Sequence, residues 1–122
     1  MSENNIDLMI LCLGANDMLR GISPKETKKN LEKIINIAQN KNIKVILAGM
    51  IAPTSHGFKY KKNFDKIYPD LSKQYNLPLI PFLLEGVALK AELNLSDGIH
   101  PNEKGVLIIS ETIKKHVIKI LD

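Results

Sequence analysis

Two stretches of this chain, Ile6 to Leu13 (IDLMILCL) and Lys44 to Met50 (KVILAGM), are nearly continuous in apolar character. A strand with one wet face alternates polar and apolar residues, so an unbroken apolar run reads as a strand covered on both faces, the condition of a parallel sheet. Leu79 to Phe82 makes a third, shorter run of the same kind.

The sequence between these runs supplies helices. Ser23-Pro24-Lys25-Glu26 places a serine cap, a proline at the first helical position and a glutamate three residues past the cap, which predicts a helix from Pro24 to about Asn40. Leu31, Ile34, Ile35 and Ala38 form its inward stripe, with Lys28, Lys29 and Lys33 on the wet side. Phe58 to Tyr75 reads as helical, but Pro69 lacks a backbone donor and should kink it or divide it in two. After an irregular stretch from Leu83 to Ile99, the residues Val106, Ile109, Ile113, Val117 and Ile120 follow helical spacing to the end. The alternation of strand and helix predicts a single α/β domain with a parallel sheet and helices on its faces. Three strands make a poor sheet of this type, and the first is apolar on both faces within a few residues of the start. A strand is therefore expected to be missing before it.

A chain of 122 residues, 44% hydrophobic and 25% charged, has ordinary globular proportions and room for one core. The formal charge of +4 comes almost wholly from lysines spaced along the predicted helices, with Arg20 the only arginine. These read as solvated helix faces. Lys59, Lys61 and Lys62 could attract an anion, but no aromatic interleaving or binding module supports a nucleic-acid partner. Cys12 is the only cysteine, so no disulfide can form within the chain, and its apolar setting predicts a small buried hydrophobe. Met1 to Asp7 is polar and acidic, unlike a secretion signal, and Leu8 to Leu13 falls far short of the roughly 20 apolar residues of a transmembrane helix. The chain as written reads as soluble and, with no signal in it, cytoplasmic, while the compartment of a parent protein stays unknown.

In a parallel sheet the loops that follow strands lie along one edge, where such folds bind their ligands. Gly14 to Asp17, Ile51 to Gly57 and the approach to Asp97 and His100 should converge there. In Asp97-Gly98-Ile99-His100-Pro101 the carboxylate can accept from one ring nitrogen and leave the other as a general base. An isolated pair of this kind is also the ordinary product of an exposed turn, with His100 capping the helix behind it. Gly14-Ala15-Asn16-Asp17 is equally double: a turn former, or an asparagine amide presented to a developing oxyanion. His56, in the middle loop, reads as a polar loop residue with a substrate-lining alternative, and His116 as a surface residue. No grouping of the three histidines with Cys12 or the carboxylates has metal-ligand spacing, and no cofactor is implied.

Taken together and in this order, the two motifs resemble the SGNH, or GDSL-type, hydrolases, and within them the bacterial thioesterase I/lysophospholipase L1 and arylesterase group. The family's GxND block reads Leu13-Gly14-Ala15-Asn16-Asp17-Met18-Leu19-Arg20-Gly21 and its DxxHP block reads Asp97-Gly98-Ile99-His100-Pro101-Asn102. The segments Gly49 to Pro53 with Gly57, Tyr60 to Pro69, and Leu77 to Phe82 resemble that group at matching spacing, so the likeness runs from about Asp7 onward.

The resemblance implies a flavodoxin-like three-layer αβα fold with a five-stranded parallel sheet, of which this chain would be the C-terminal portion without the first strands. It implies ester or thioester hydrolysis through an acyl-enzyme, with Asn16 as oxyanion donor, His100 as general base, Asp97 orienting it and Gly14 permitting the turn beneath Asn16. Asp97 and His100 would then be hydrogen-bonded, with Asn16 facing them. The GDSL block itself is not in this sequence: none of Ser2, Ser23, Ser55, Ser72, Ser96 or Ser110 stands in a GDS context. The family's second glycine block is absent too, so the nucleophile and two of three oxyanion donors are not here. A truncated remnant or interaction module is the alternative reading. A nucleotide-binding domain is a third, disfavoured because no Walker loop or GxGxxG follows a strand. The uncovered first strand predicts a homodimer, or pairing with a separate N-terminal segment.

Overall fold

The structure, a computed structural model, describes residues 6–96 and 100–121. Three strands, β1 (Leu8–Leu11), β2 (Lys44–Ala48) and β3 (Leu79–Ile80), form one parallel sheet in the order β1-β2-β3. Leu8 to Leu11 lie opposite Lys44 to Leu47, and Leu47 and Ala48 lie opposite Leu79 and Ile80. This is the parallel α/β arrangement expected from the apolar runs. The strands are shorter than those runs because pairing stops at Leu11 and Ala48, where the chain turns into the loops that follow.

Helix α1 (Ala15–Leu19) follows β1 directly, and α2 (Pro24–Asn40) leads to β2. Both crossovers of the sheet step in the same direction, which with right-handed connections puts their helices on one face. Consistent with this, α2 and α4 (Ile67–Tyr75) touch each other and both touch β2. Leu31, Ile35 and Ala38 of α2 are buried as predicted, joined by Thr27, while Ile34 is only half-buried. Lys28 is half-buried rather than fully wet. Ser23 does occupy the N-cap of α2, but its side chain makes no capping bond. Its carbonyl instead accepts from the amides of Glu26 and Thr27.

The helical stretch from Phe58 divides at Lys66 into α3 (Phe58–Asp65) and α4. A proline cannot donate to the carbonyl four residues back, and restarting the helix at Ile67 places Pro69 in a first turn, where a donor is not needed. The buried core of this part comprises β2 from Val45 to Ala48, Phe64, Ile67, Tyr68, Leu71 and Ile80 with the α2 stripe. By contrast β1 is half-buried over Leu8 to Ile10, and it pairs only with β2 among the described residues. Cys12 is exposed, contrary to the expectation of a buried thiol, because it lies one residue beyond the paired part of β1.

The chain divides into two compact units, Met1–Pro81 and Phe82–Asp122. In the second, a run of turns from Phe82 leads through a short 3-10 helix at Ala91–Leu93 to α5 (Glu103–Leu121). Leu83, Val87 and Asn94 are buried. Gly105 is required at the start of α5, since a Cβ there would overlap the Leu93 carbonyl oxygen and press on Pro101 and Val87. Among the described residues no helix is long and apolar enough to cross a membrane.

Candidate active site

Asn16 stands in the first turn of α1, directly after β1, with its side chain exposed. The chain enters that turn through Gly14 at φ 116°, a conformation that L side chains rarely adopt. A Cβ at Gly14 would also run into the Tyr68 hydroxyl. Glycine is therefore needed at this position for two separate reasons. The turn closes through the Met18 amide on the Gly14 carbonyl at 3.0 Å and the Arg20 amide on the Asn16 carbonyl at 3.0 Å.

Three hydroxyls from the surrounding helices fasten this loop. Tyr68 of α4 donates to the Leu13 carbonyl at 2.7 Å, Thr27 of α2 donates to the Asp17 carboxylate at 2.9 Å, and Tyr60 of α3 donates to the Ile22 carbonyl at 2.7 Å. Thr27 and Tyr68 are each 1% exposed, so their hydroxyls need these acceptors: an unpaired buried polar group costs about 1–3 kcal/mol. Burial, with the Asp17 carboxylate and then Tyr60 adding to it, pushes the Tyr68 hydroxyl's pKa well up and keeps it a donor. Burial followed by Asp17 moves Tyr60 the same way.

The loop after β2 reaches the same place. The His56 ring packs against Gly21 and lies 5.2 Å from the Tyr60 ring, tilted by 55°. Two of the post-strand loops thus converge, as the topology predicted. Behind them the Ala52 amide donates to Asp65 at 2.7 Å, and Lys61 reaches both the Ala52 carbonyl at 2.9 Å and Asp65 at 2.7 Å. Lys61 is spent on holding this loop to α3, which removes it from the suggested lysine patch. Cys12 has its pKa pushed up by burial around the sulfur even though the residue is exposed, the opposite of an activated thiol.

In the second unit His100 lies on an exposed bend just ahead of α5, and Asp97 lies outside the described residues. The bend is held by asparagines. Asn94 donates to the carbonyls of Val87 at 2.8 Å and Lys90 at 2.7 Å, and Asn102 donates to Glu92 at 2.9 Å. Asn94 and Pro101 pair as an antiparallel bridge, and the Leu95 amide donates to the His100 carbonyl at 2.7 Å. The Asn102 carboxamide oxygen accepts from the Gly105 amide at 3.0 Å, which makes Asn102 a cap of α5. His116 is half-buried, its Nδ1 2.9 Å from the Thr112 carbonyl, rather than a plain surface residue.

Of the residues picked from the sequence, the structure brings Gly14, Asn16 and Asp17 together with His56 nearby, and places His100 in the other unit. Thr27, Tyr60, Tyr68, Asn94 and Asn102 were not singled out. Only Asn102, just ahead of a helix, carried a local signal, that of an N-cap.

Residues 2–107 match the model of the GDSL-like lipase/acylhydrolase family. The chain belongs to that family. It is 34% identical over 121 residues to an arylesterase of Vibrio mimicus, matching 99% of this chain and 60% of that protein. It is 36% identical over 105 residues to the thioesterase 1/protease 1/lysophospholipase L1 of Escherichia coli K12, matching 86% of this chain and 50% of that one. Among solved structures, the psychrotrophic esterase EstA from Pseudoalteromonas sp. superposes with a TM-score of 0.86 at 30% identity, covering 92% of this chain and 61% of its own. The expected SGNH-type α/β fold is therefore shown, and the chain spans about half to three fifths of the length of the curated relatives it matches.

Proposed function

We propose that this chain carries the oxyanion and general-base part of an ester or thioester hydrolase, whose nucleophilic serine is supplied from outside residues 1–122. The observation that carries this reading is the Asn16 turn, fastened at the end of β1 in a chain that belongs to the acylhydrolase family and contains no serine in a GDS context.

In this reading the serine hydroxyl attacks the acyl carbon while His100 accepts its proton and Asp97 orients the ring. Asn16 donates to the oxyanion of the tetrahedral intermediate. Collapse expels the alcohol or thiol, which takes the proton back from His100, and leaves an acyl-enzyme. Water then repeats the attack with His100 again as base, releasing the acid and the serine. No metal or cofactor takes part. The strand bearing the serine would lie beside β1, whose outer edge has no strand partner among the described residues. In its absence we expect two copies to associate near β1, so a monomer in sedimentation at high concentration would count against that expectation.

The test is hydrolysis of a short-chain p-nitrophenyl ester, first by the chain alone and then by the chain fused to an N-terminal segment of a relative bearing a GDSL block. The chain alone should be inactive and the fusion active, with His100→Ala abolishing the gain. Enzymatic turnover by the chain alone, lost on His100→Ala, would overturn the proposal. A fusion that stays inactive would favour the alternative of a remnant or interaction module.

A further inference from the structure

Asn16 is exposed and its carboxamide makes no hydrogen bond to another described residue, so the loop that carries it fixes only where its Cα–Cβ bond points. That loop is fastened at both ends to one row of rings. Tyr60, Phe64 and Tyr68 follow at i, i+4 and i+8 across the junction of α3 and α4. The centroids of Tyr60 and Phe64 are 6.0 Å apart in a stacked pair, and those of Phe64 and Tyr68 are 5.8 Å apart edge to face. The hydroxyl at one end of the row holds the Ile22 carbonyl, and the hydroxyl at the other holds the Leu13 carbonyl. Phenylalanines at 60 and 68 would fill nearly the same volume. What the hydroxyls add is two directed bonds, both to the loop that bears Asn16, with Thr27 fixing Asp17 between them.

We propose that Tyr60 and Tyr68, spaced by Phe64, are positioning residues that hold the Asn16 loop in the geometry an oxyanion donor needs, with Thr27 as the third point of attachment. The inference rests on reading Asn16 as that donor. A donor stabilises a transition state only in so far as it is already in place, and displacements of about half an ångström are enough to weaken it. A spacer of three packed rings fixes the two ends of the loop more firmly than flexible side chains would.

Amide hydrogen exchange in the full chain tests the attachment without any turnover. In the Tyr60→Phe/Tyr68→Phe double variant, the Met18 and Arg20 amides, which close the turn, should exchange about tenfold faster or more, while Ile46 and Leu47 of β2 keep their protection. In the fused enzyme the same variant should lower kcat about tenfold at unchanged KM, and Asn16→Ala should cost less there than in the parent. Unchanged exchange at Met18 and Arg20, or an equal rise in β2, would overturn the proposal by reducing the tyrosines to ordinary core residues. So would a rise in KM at constant kcat. A fusion inactive with its tyrosines intact would count against the hydrolase reading alone, because the exchange data decide the attachment separately.

Discussion

The segment that carries Asn16 and the segment that carries His100 are held in different ways. The Asn16 turn is fastened by hydroxyls of the buried Thr27 and Tyr68 and the half-buried Tyr60, reaching it from three helices. The His100 bend is held by the carboxamides of Asn94 and Asn102, both bonding within their own stretch of chain. The first depends on tertiary packing and is held as long as those hydroxyl bonds are made. The bonds of Asn94 and Asn102 among the described residues are local, so they can form or loosen with the start of α5. On the function proposed above, a donor that must be in place before reaction suits the first kind of support, and a base that changes its proton during reaction tolerates the second.

The largest effects should separate the two segments by chemistry. In the fused enzyme, His100→Ala should remove activity by a factor on the order of 10⁶, as loss of the base does in serine proteases, while Asn16→Ala should cost about 10²- to 10³-fold. Equal losses would mean that the segments do not divide the work as base and donor. Steady-state kinetics on the two variants, with folding checked by circular dichroism, makes the measurement.

Two glycines sharpen the comparison next. Gly14→Ala must take a side chain through a positive φ and against the Tyr68 hydroxyl, and should lower stability by about 2–4 kcal/mol. Gly105→Ala meets the Leu93 carbonyl but gains helix propensity, so its net cost should be nearer 1–2 kcal/mol. Urea unfolding read at both units would show the first loss in Met1–Pro81 and the second in Phe82–Asp122. A Gly14→Ala variant as stable as the parent would remove the case for a built turn.

How far the sequence foretold this follows from the same division. The apolar runs declared β1, β2 and β3, and Pro69 declared the break between α3 and α4, because periodicity and missing donors are local properties. Gly14 and Asn16 were legible as a family block. The clamps were not: nothing near Tyr60 or Tyr68 signals that their hydroxyls end on Ile22 and Leu13, which lie 38 and 55 residues away in sequence. Cys12 misled for a related reason, since an apolar run predicts cover only where a neighbouring element supplies it. Ser23 looked like a side-chain cap and holds α2 by its carbonyl instead, a choice that composition cannot reveal.

A smaller effect tests the local support of His100. Asn102→Ala removes the cap of α5 and should cost about 1 kcal/mol, seen as faster exchange of the Gly105 and Val106 amides with no change in β2. Spread of the change into β2 would show that the bend is not locally held after all.

The smallest effect is in pH dependence. The Tyr68 pKa lies above its ordinary 10.0 in the folded chain because burial disfavours the phenolate and Asp17 repels it. The native state thus binds this proton more tightly than the unfolded state does. Its contribution is fully present below about pH 10 and is lost as pH rises from there through the higher folded value. Tyr60 and Tyr75 shift in the same direction, so the parent's decline alone does not isolate Tyr68. The informative quantity is the difference between parent and Tyr68→Phe. The variant should be less stable than the parent by about 1–2 kcal/mol at neutral pH, where the parent keeps its bond to Leu13, and the gap should narrow above pH 10. Chemical unfolding at pH 7, 9, 10 and 11 would follow it. A gap that stays constant across that range would mean that the Tyr68 proton is held no more tightly in the folded chain than outside it. The hydroxyl would then be a poor candidate for a fixed point beneath Asn16.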